Sequence, residues 1–431
     1  MQDSRRRQHC CYCQIGLITA GNHDRVKVIS NRTKGWVSMQ LLGRTPLPMG
    51  SVLICSQKEQ YRILSLLGCG GSGLVYRACR VSKQGTEGAV FAVKECFPAP
   101  ALAFDGSQIQ FSRNSAGQIL PSEEYGNTEL KTHAQAYLQR VAAQLKSENQ
   151  TLIDLTAQGN AHLLRPVGEL SVSRIQSPEG IQSKTKNIYF AMENLEGQGF
   201  ALSQVVERCG ILSHGRNGTI RQVPVGKSAS ILSQVLIALS QIHQGGYLFG
   251  DLQEGNLFLK QDGVLEEPGF CCLLDFGSAR KLRESTQTVL LNPEDFVFST
   301  PGYTPPELLN WDRQTPLELG PAADLYAAGR LFSKLITGLD HVRRMPDGKM
   351  KDCADPYLTR LKPKEAVAIQ CGDLLRSRVN AFLDKALAPE PDRRYQNAQE
   401  MLMAVQELSL QAERKEPVSS YSDLRTFVGR Q

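Results

Sequence analysis

The sequence predicts an α+β protein in which a small strand-rich lobe sits on a larger helical lobe. Three observations carry that expectation. Segments rich in apolar and β-branched residues cluster between positions 61 and 94. Helical periodicity takes over from about position 132 and returns over 231–243 and 324–337. Strands gathered first and helices afterwards belong to a fold with segregated layers. The 431 residues suffice for two or three average domains, or for one bilobal unit with an extension.

Residues 1–58 read as an extension, strand-like in places and ending in Pro46-Leu47-Pro48. Tyr61-Arg62-Ile63-Leu64 opens a strand, and Gly68-Cys69-Gly70-Gly71-Ser72-Gly73 follows it. A second strand covers 74–81, a hairpin-like turn 82–88 and a third strand 89–94. Residues 98–130 are rich in Gly, Ser, Asn and Pro and read as loop. Leu138, Val141, Ala142, Leu145, Leu152 and Leu155 recur at helical intervals, which predicts a helix over 132–155. A short apolar strand over 188–192 ends in Glu193-Asn194. An amphipathic helix spans 231–243, with Ser230 as N-cap and Gly245-Gly246 as its stop. A further helix over 324–337 is apolar around most of its surface, as a buried helix is.

Composition bounds the rest. Apolar residues at 41% supply a sizeable core, and charged residues at 21% exclude a globally disordered chain. A net charge of +6 is a mild excess for this length, so no nucleic-acid partner is expected. The 12 cysteines are scattered without a disulfide framework and read as small buried residues in a reducing compartment. The apolar stretch 15–20 is too short and broken for a signal peptide, and no window reads as long enough to cross a bilayer. The expectation is a cytoplasmic protein without a membrane span. His9, Cys10, Cys11 and Cys13, with His23 further on, lack C-x-x-C spacing and a second ligand pair. They read as a redox-sensitive arm rather than a zinc site.

The chemistry is concentrated in Gly250-Asp251-Leu252-Gln253-Glu254-Gly255-Asn256 and Leu274-Asp275-Phe276-Gly277. An Asp and an Asn five apart, followed by an Asp in a tight turn, suit magnesium and a nucleotide phosphate. Phosphoryl transfer needs positioning and charge stabilisation more than covalent chemistry. With the glycine loop and Phe91-Ala92-Val93-Lys94 upstream, the order of these segments resembles a eukaryotic-like Ser/Thr protein kinase of the kind also found in bacteria, over about 61–410.

That resemblance implies a bilobal protein-kinase-like fold. The kinase domain would cover 59–410, with an N-lobe of 59–193, a C-lobe of 194–410 and a tail of 411–431. ATP and Mg2+ would be the cofactors and a protein the substrate. Gly68, Gly70, Gly73 and Val75 would lie over the phosphates and base, and Lys94 would contact the α- and β-phosphates. Glu148 would pair with Lys94, with Glu129 as the rival. Ala92 and Phe258 would belong to the nucleotide site, Met192 would be the gatekeeper, and backbone groups of Glu193 and Leu195 would hold adenine. Asp251 would take the proton of the substrate hydroxyl, while Asn256 and Asp275 would hold the metal. Pro306-Glu307 would close the activation segment, with Glu307 paired to Arg394, and Asp324 would hydrogen-bond the catalytic-loop backbone.

Three positions depart from the family pattern. Phe249 stands where His is usual and keeps an apolar contact. Gly250 replaces an Arg that binds an activation-loop phosphate, so the resemblance implies activity without that phosphorylation. Gln253 replaces a Lys that helps to neutralise the γ-phosphate. These departures keep open a pseudokinase scaffold or a small-molecule kinase, and the activation-segment features weigh against the second. Ser285, Thr286, Thr288, Ser299 and Thr300 are candidate phosphoacceptors in that segment.

Overall fold

The computed structural model describes residues 41–413, except positions 42, 83, 103–107, 122–127, 161, 216–217, 261–270, 294, 296, 341, 345–349 and 353–358. It also describes the backbone of Gly16–Ile18 and Lys27–Val28. The His9, Cys10, Cys11, Cys13 and His23 group and the tail beyond 413 lie outside the described residues.

The small lobe is built on an eight-stranded antiparallel sheet. Its order is Pro166–Leu170, Tyr189–Glu193, Glu87–Cys96, Gly73–Val81, Gln60–Cys69, Val52–Cys55, Val172–Gln176 and Gln182–Lys184. Pro166–Leu170 and Val172–Gln176 are separated by Ser171 alone, yet five strands lie between them in the sheet order. Strands stand roughly 4.8 Å apart in a sheet. A flat sheet could not bring those two together, so this one curls almost into a barrel. Its interior holds Leu53, Tyr61, Ile63, Leu74, Tyr76, Val93 and Tyr189. Val52–Cys55, which the sequence placed in the extension, is an inner strand of this sheet, and Leu53 is wholly buried.

The loop-like stretch 98–130 contains a hairpin, Phe111–Arg113 paired with Ile119–Pro121. Phe111 and Ile119 are buried against the lobe. Gly117, at φ 75°, makes the turn that the glycine-rich composition signalled only as loop. The helix expected over 132–155 runs from Thr128 to Ala157. Among the described side chains, Ala134, Tyr137, Val141, Leu145, Glu148, Thr151, Leu152 and Leu155 are its buried positions along one face. The upper part packs on the sheet and the lower part enters the large lobe.

The large lobe packs the helices Val225–Gln244, Ala322–Thr337, Asp373–Ala386 and Ala398–Glu413 around one apolar core. Val225–Gln244 starts six residues ahead of the expected start, directly after Pro224. Ser230 is therefore not an N-cap. It sits inside the helix, and its hydroxyl donates back to the Gly226 carbonyl at 3.1 Å. Gly245 and Gly246 do end it, Gly246 at φ 79°. The expectation that no segment could span a bilayer also needs correcting. Val225–Gln244 is long and apolar enough by length and composition. Its apolarity has another cause here, because Ile231, Leu232, Val235, Leu236, Leu239 and Ile242 are fully buried in the lobe.

Candidate active site

The upper wall of the cleft comes from the sheet and the long helix. Lys94 lies on Glu87–Cys96, and its Nζ donates to both carboxylate oxygens of Glu148, at 2.9 and 2.8 Å. The same nitrogen is 3.7 Å from Asp275 Oδ1. The Glu129 side chain lies outside the described residues. Burial pushes Glu148 up to about 7, against the pull of Lys94 and with a further push from Asp275. The glycine loop is the turn between Gln60–Cys69 and Gly73–Val81, closed by Gly70 N–H donating to Gly73 O at 2.9 Å. A Cβ on Gly73 would stand 2.1 Å from the Glu95 carbonyl oxygen, so only glycine fits there.

The lower wall is the catalytic loop. Asp324, at the start of Ala322–Thr337, accepts from the backbone N–H of Phe249 and of Gly250, both at 2.8 Å, and His243 Nε2 lies 2.9 Å from it. That clamp sets the backbone ahead of Asp251. Asp251 Oδ1 accepts from the Thr300 hydroxyl at 2.7 Å. Asp251 Oδ2 accepts from Gln253 Nε2 at 3.0 Å and from Asn256 Nδ2 at 3.2 Å. Gln253 Nε2 also reaches Thr300 Oγ1, at 2.7 Å. Burial raises Asp251 to about 6; the Thr300, Gln253 and Asn256 hydrogen bonds oppose the rise and the charge on Asp275 adds to it.

Asp275 is half-exposed in the cleft, and its Oδ1 accepts from Gly277 N–H at 3.0 Å. Asp251, Asp275 and Glu148 line the cleft together with Gly71, Ser72 and Thr300. Among the described residues no cluster of three or more His, Cys, Asp or Glu side chains is arranged to hold a metal alone. Asn256 and Asp275 still fit magnesium. The amide nitrogen of Asn256 is taken by Asp251, which leaves its oxygen for a cation, and Asp275 adds a carboxylate. Magnesium takes oxygen ligands and commonly needs only one or two from protein beside substrate phosphates.

Packing fixes the two walls against each other. Phe249 and Phe276 meet edge to face at 5.0 Å, and Leu152 of the long helix belongs to the same buried cluster. Gln144 Nε2 donates to the Gly277 carbonyl. Below, Arg394 grips Glu307 with two parallel hydrogen bonds, 2.9 and 2.6 Å. At the back, Met192 pairs with Ala92 across Tyr189–Glu193 and Glu87–Cys96, and Val75 pairs with Lys94. Met192 and Phe258 pack with Leu195, Leu164 and Cys272. Gly68 pairs with Val75 at the root of the glycine loop.

Of the residues singled out from sequence, Glu148, Asp251 and Asp275 line one cleft between the lobes, Lys94 is bonded to Glu148 and stands 3.7 Å from Asp275, and Asn256 is bonded to Asp251. Three others were missed in that role. Thr300 entered only as a phosphoacceptor, but its side chain is buried and bonded to Asp251, so it is not an accessible one. Gln144 gave no motif signal. Arg44 lay in the presumed extension, yet it bonds the glycine loop.

A glycine loop and a Lys–Glu pair in a strand-rich lobe, closed over an Asp held by a helical one, define the kinase class of fold. The family model described as protein kinase domain matches residues 148–405, more than half of the chain, and the chain belongs to that family. Among curated relatives, it is 32% identical over 175 residues to serine/threonine-protein kinase pkn3 of Myxococcus xanthus, covering 39% of this chain and 28% of that protein. It is 25% identical over 206 residues to serine/threonine-protein kinase PknG of Mycobacterium leprae, covering 47% and 22%. It is 27% identical over 237 residues to the probable serine/threonine-protein kinase PknB of Corynebacterium glutamicum, covering 52% and 30%. The matched stretches span less than a third of the length of each of these relatives. Among solved structures, the kinase domain of Mycobacterium tuberculosis PknI is similar with a TM-score of 0.44 and 20% identity, over 84% of this chain and all of that one.

Proposed function

We propose that this protein is an ATP-dependent Ser/Thr protein kinase whose activity does not wait on activation-segment phosphorylation. The observation that carries the reading is the meeting of Lys94, Glu148, Asp251 and Asp275 at one cleft roofed by the glycine loop. Lys94, steadied by Glu148, would place its ammonium on the α- and β-phosphates. Asp251 would orient the acceptor hydroxyl and take its proton. Three hydrogen bonds hold that carboxylate in place, and its raised pKa makes it a better base than an ordinary Asp while leaving it mostly ionised at neutral pH. Magnesium bound at Asn256 and Asp275 would supply positive charge to the phosphate oxygens. Gln253 keeps the orienting contacts to Asp251 and Thr300 but brings no cation to the γ-phosphate, so turnover is expected near the lower end of about 1–100 per second. A cytoplasmic setting goes with this reading.

Independence from phosphorylation is supported by how the activation segment is held. Val289–Leu291 pairs with Leu317–Leu319, and Leu282, Val289, Leu291, Leu308 and Leu319 share a buried cluster. Gly250 sits at φ 81°, and a Cβ there would stand 2.8 Å from the Ser278 carbonyl oxygen. A phosphate-reading side chain does not fit that backbone. The test combines labelled ATP and magnesium with wild type and a variant carrying Ser285→Ala, Thr286→Ala and Thr288→Ala. Label should enter Ser and Thr of protein acceptors at similar rates for both. Loss of activity in the triple variant contradicts phosphorylation-independence, and labelling of metabolites alone contradicts the protein-kinase reading.

A further inference from the structure

We infer that Arg44, ahead of the family-like region, is a positioning residue that fixes the glycine loop for nucleotide phosphates. The inference rests on the ATP reading above. Arg44 is buried, 4% exposed. Its Nη1 donates to the carbonyl oxygens of Gly70 and Phe97, both at 2.8 Å, and its Nε donates to Leu41 O at 3.0 Å. One guanidinium nitrogen thus staples the tip of the glycine loop to the chain just beyond the Lys94 strand. The segment around Arg44 is itself pinned. Leu47 N–H donates to Tyr76 Oη at 3.1 Å, and Arg113 Nε donates to Thr45 O at 3.1 Å. Tyr76 donates in turn to Glu95, the neighbour of Lys94.

The consequence follows from peptide geometry. In a trans peptide the carbonyl of one residue and the N–H of the next point in opposite directions, and no cis peptide bond is found among the described residues. Arg44 holds the Gly70 carbonyl toward the lobe, which turns the Gly71 N–H the other way. The Gly71 carbonyl is likewise held by Ala99 N–H at 2.8 Å, which turns the Ser72 N–H the other way. Gly71 and Ser72 both line the cleft with Asp251 and Asp275. Two successive amide N–H groups aimed into one concavity make an anion-binding nest. Arg44 therefore preorganises phosphate donors without touching the nucleotide.

The test is calorimetric titration of the full chain, wild type and Arg44→Ala, with adenosine, ADP and ATP in excess magnesium. Arg44→Ala should weaken ADP and ATP by roughly tenfold, the order of one lost charge-assisted hydrogen bond. Adenosine affinity should stay within twofold, because base and ribose contacts are untouched. If Arg44→Ala does not fold, Arg44→Lys, which keeps the charge and part of the hydrogen bonding, carries the same test with a several-fold loss for ATP alone. Equal losses for adenosine and ATP would reduce Arg44 to a structural role and overturn the inference, as would unchanged ATP affinity. Failure of wild type to bind ATP sinks the ATP reading itself, a result separate from either.

Discussion

Asp251 shows how a single residue is set for its task. Three hydrogen bonds orient the carboxylate, while burial pushes its pKa from 3.8 to about 6. Two outcomes follow for Asp251→Asn. Phosphate transfer should fall by roughly 10²–10⁴, the usual worth of a general base. Stability should rise by on the order of 1 kcal/mol at pH 7.5, because a partly buried charge has been removed and solvent in the cleft limits the gain. The sign is set by the raised folded pKa. The unfolded chain releases this proton first, so the wild-type carboxyl costs stability progressively as pH rises from about 4 through 6. The advantage of the variant should therefore be smaller at pH 5 than at pH 7.5 in urea melts. An equal gain at both values contradicts the assignment. Wild-type kcat/KM, which follows the ionisation of the free enzyme, should show an acid limb near pH 6. The positions of Asp251 and Lys94 about the cleft were legible from motif spacing, and the pairing of Glu148 with Lys94 from its place in the helical stretch four residues before Leu152. Thr300 was not legible in its bond to Asp251, because that pairing exists only once the activation segment folds back across 49 residues.

Among the elements, the insert between the Lys94 strand and the long helix is held by charge as much as by apolar contact. Glu95 is wholly buried and accepts from Arg113 twice, at 2.9 and 2.6 Å, from Tyr189 at 2.6 Å, from Tyr76 at 2.8 Å and from Asn187 at 3.2 Å. A carboxylate so buried is tolerable only with its partners in place. Arg113→Ala strands that charge and should cost about 3–5 kcal/mol, read as a lower urea midpoint with an unchanged slope. A loss under 1 kcal/mol would mean that the network contributes little. The composition of 98–130 concealed this hairpin, since Gly, Ser and Asn mark turns without saying which flanking residues pair. The early start of Val225–Gln244 was hidden for a related reason. Pro224 opens the helix while Gly226, Lys227 and Ser228 break the apolar pattern, so the periodicity emerges only from Ile231.

For the molecule as a whole, the order of strands before helices gave the two lobes correctly. The curl of the sheet did not follow from that order, because it depends on one long segment bridging two distant strands. It makes Val52–Cys55 indispensable to the small lobe, with Val172–Gln176 on one side and Gln60–Cys69 on the other. Deleting residues 1–58 removes that strand, the buried Leu53 and Arg44 together. The shortened chain should lose cooperative unfolding of the small lobe, read by hydrogen exchange on Gly73–Val81 and Glu87–Cys96. Native-like protection in both strands would show the segment to be dispensable.

The central claim is that Lys94, Asp251, Asn256 and Asp275 act on one triphosphate. Its most direct measurement is transfer of label from γ-labelled ATP to protein, with magnesium, by wild type and by Lys94→Met. Wild type should phosphorylate Ser and Thr, and Lys94→Met should lose that transfer while the helical lobe keeps its fold. Undiminished transfer by Lys94→Met, or none by a wild type that binds ATP, contradicts the account.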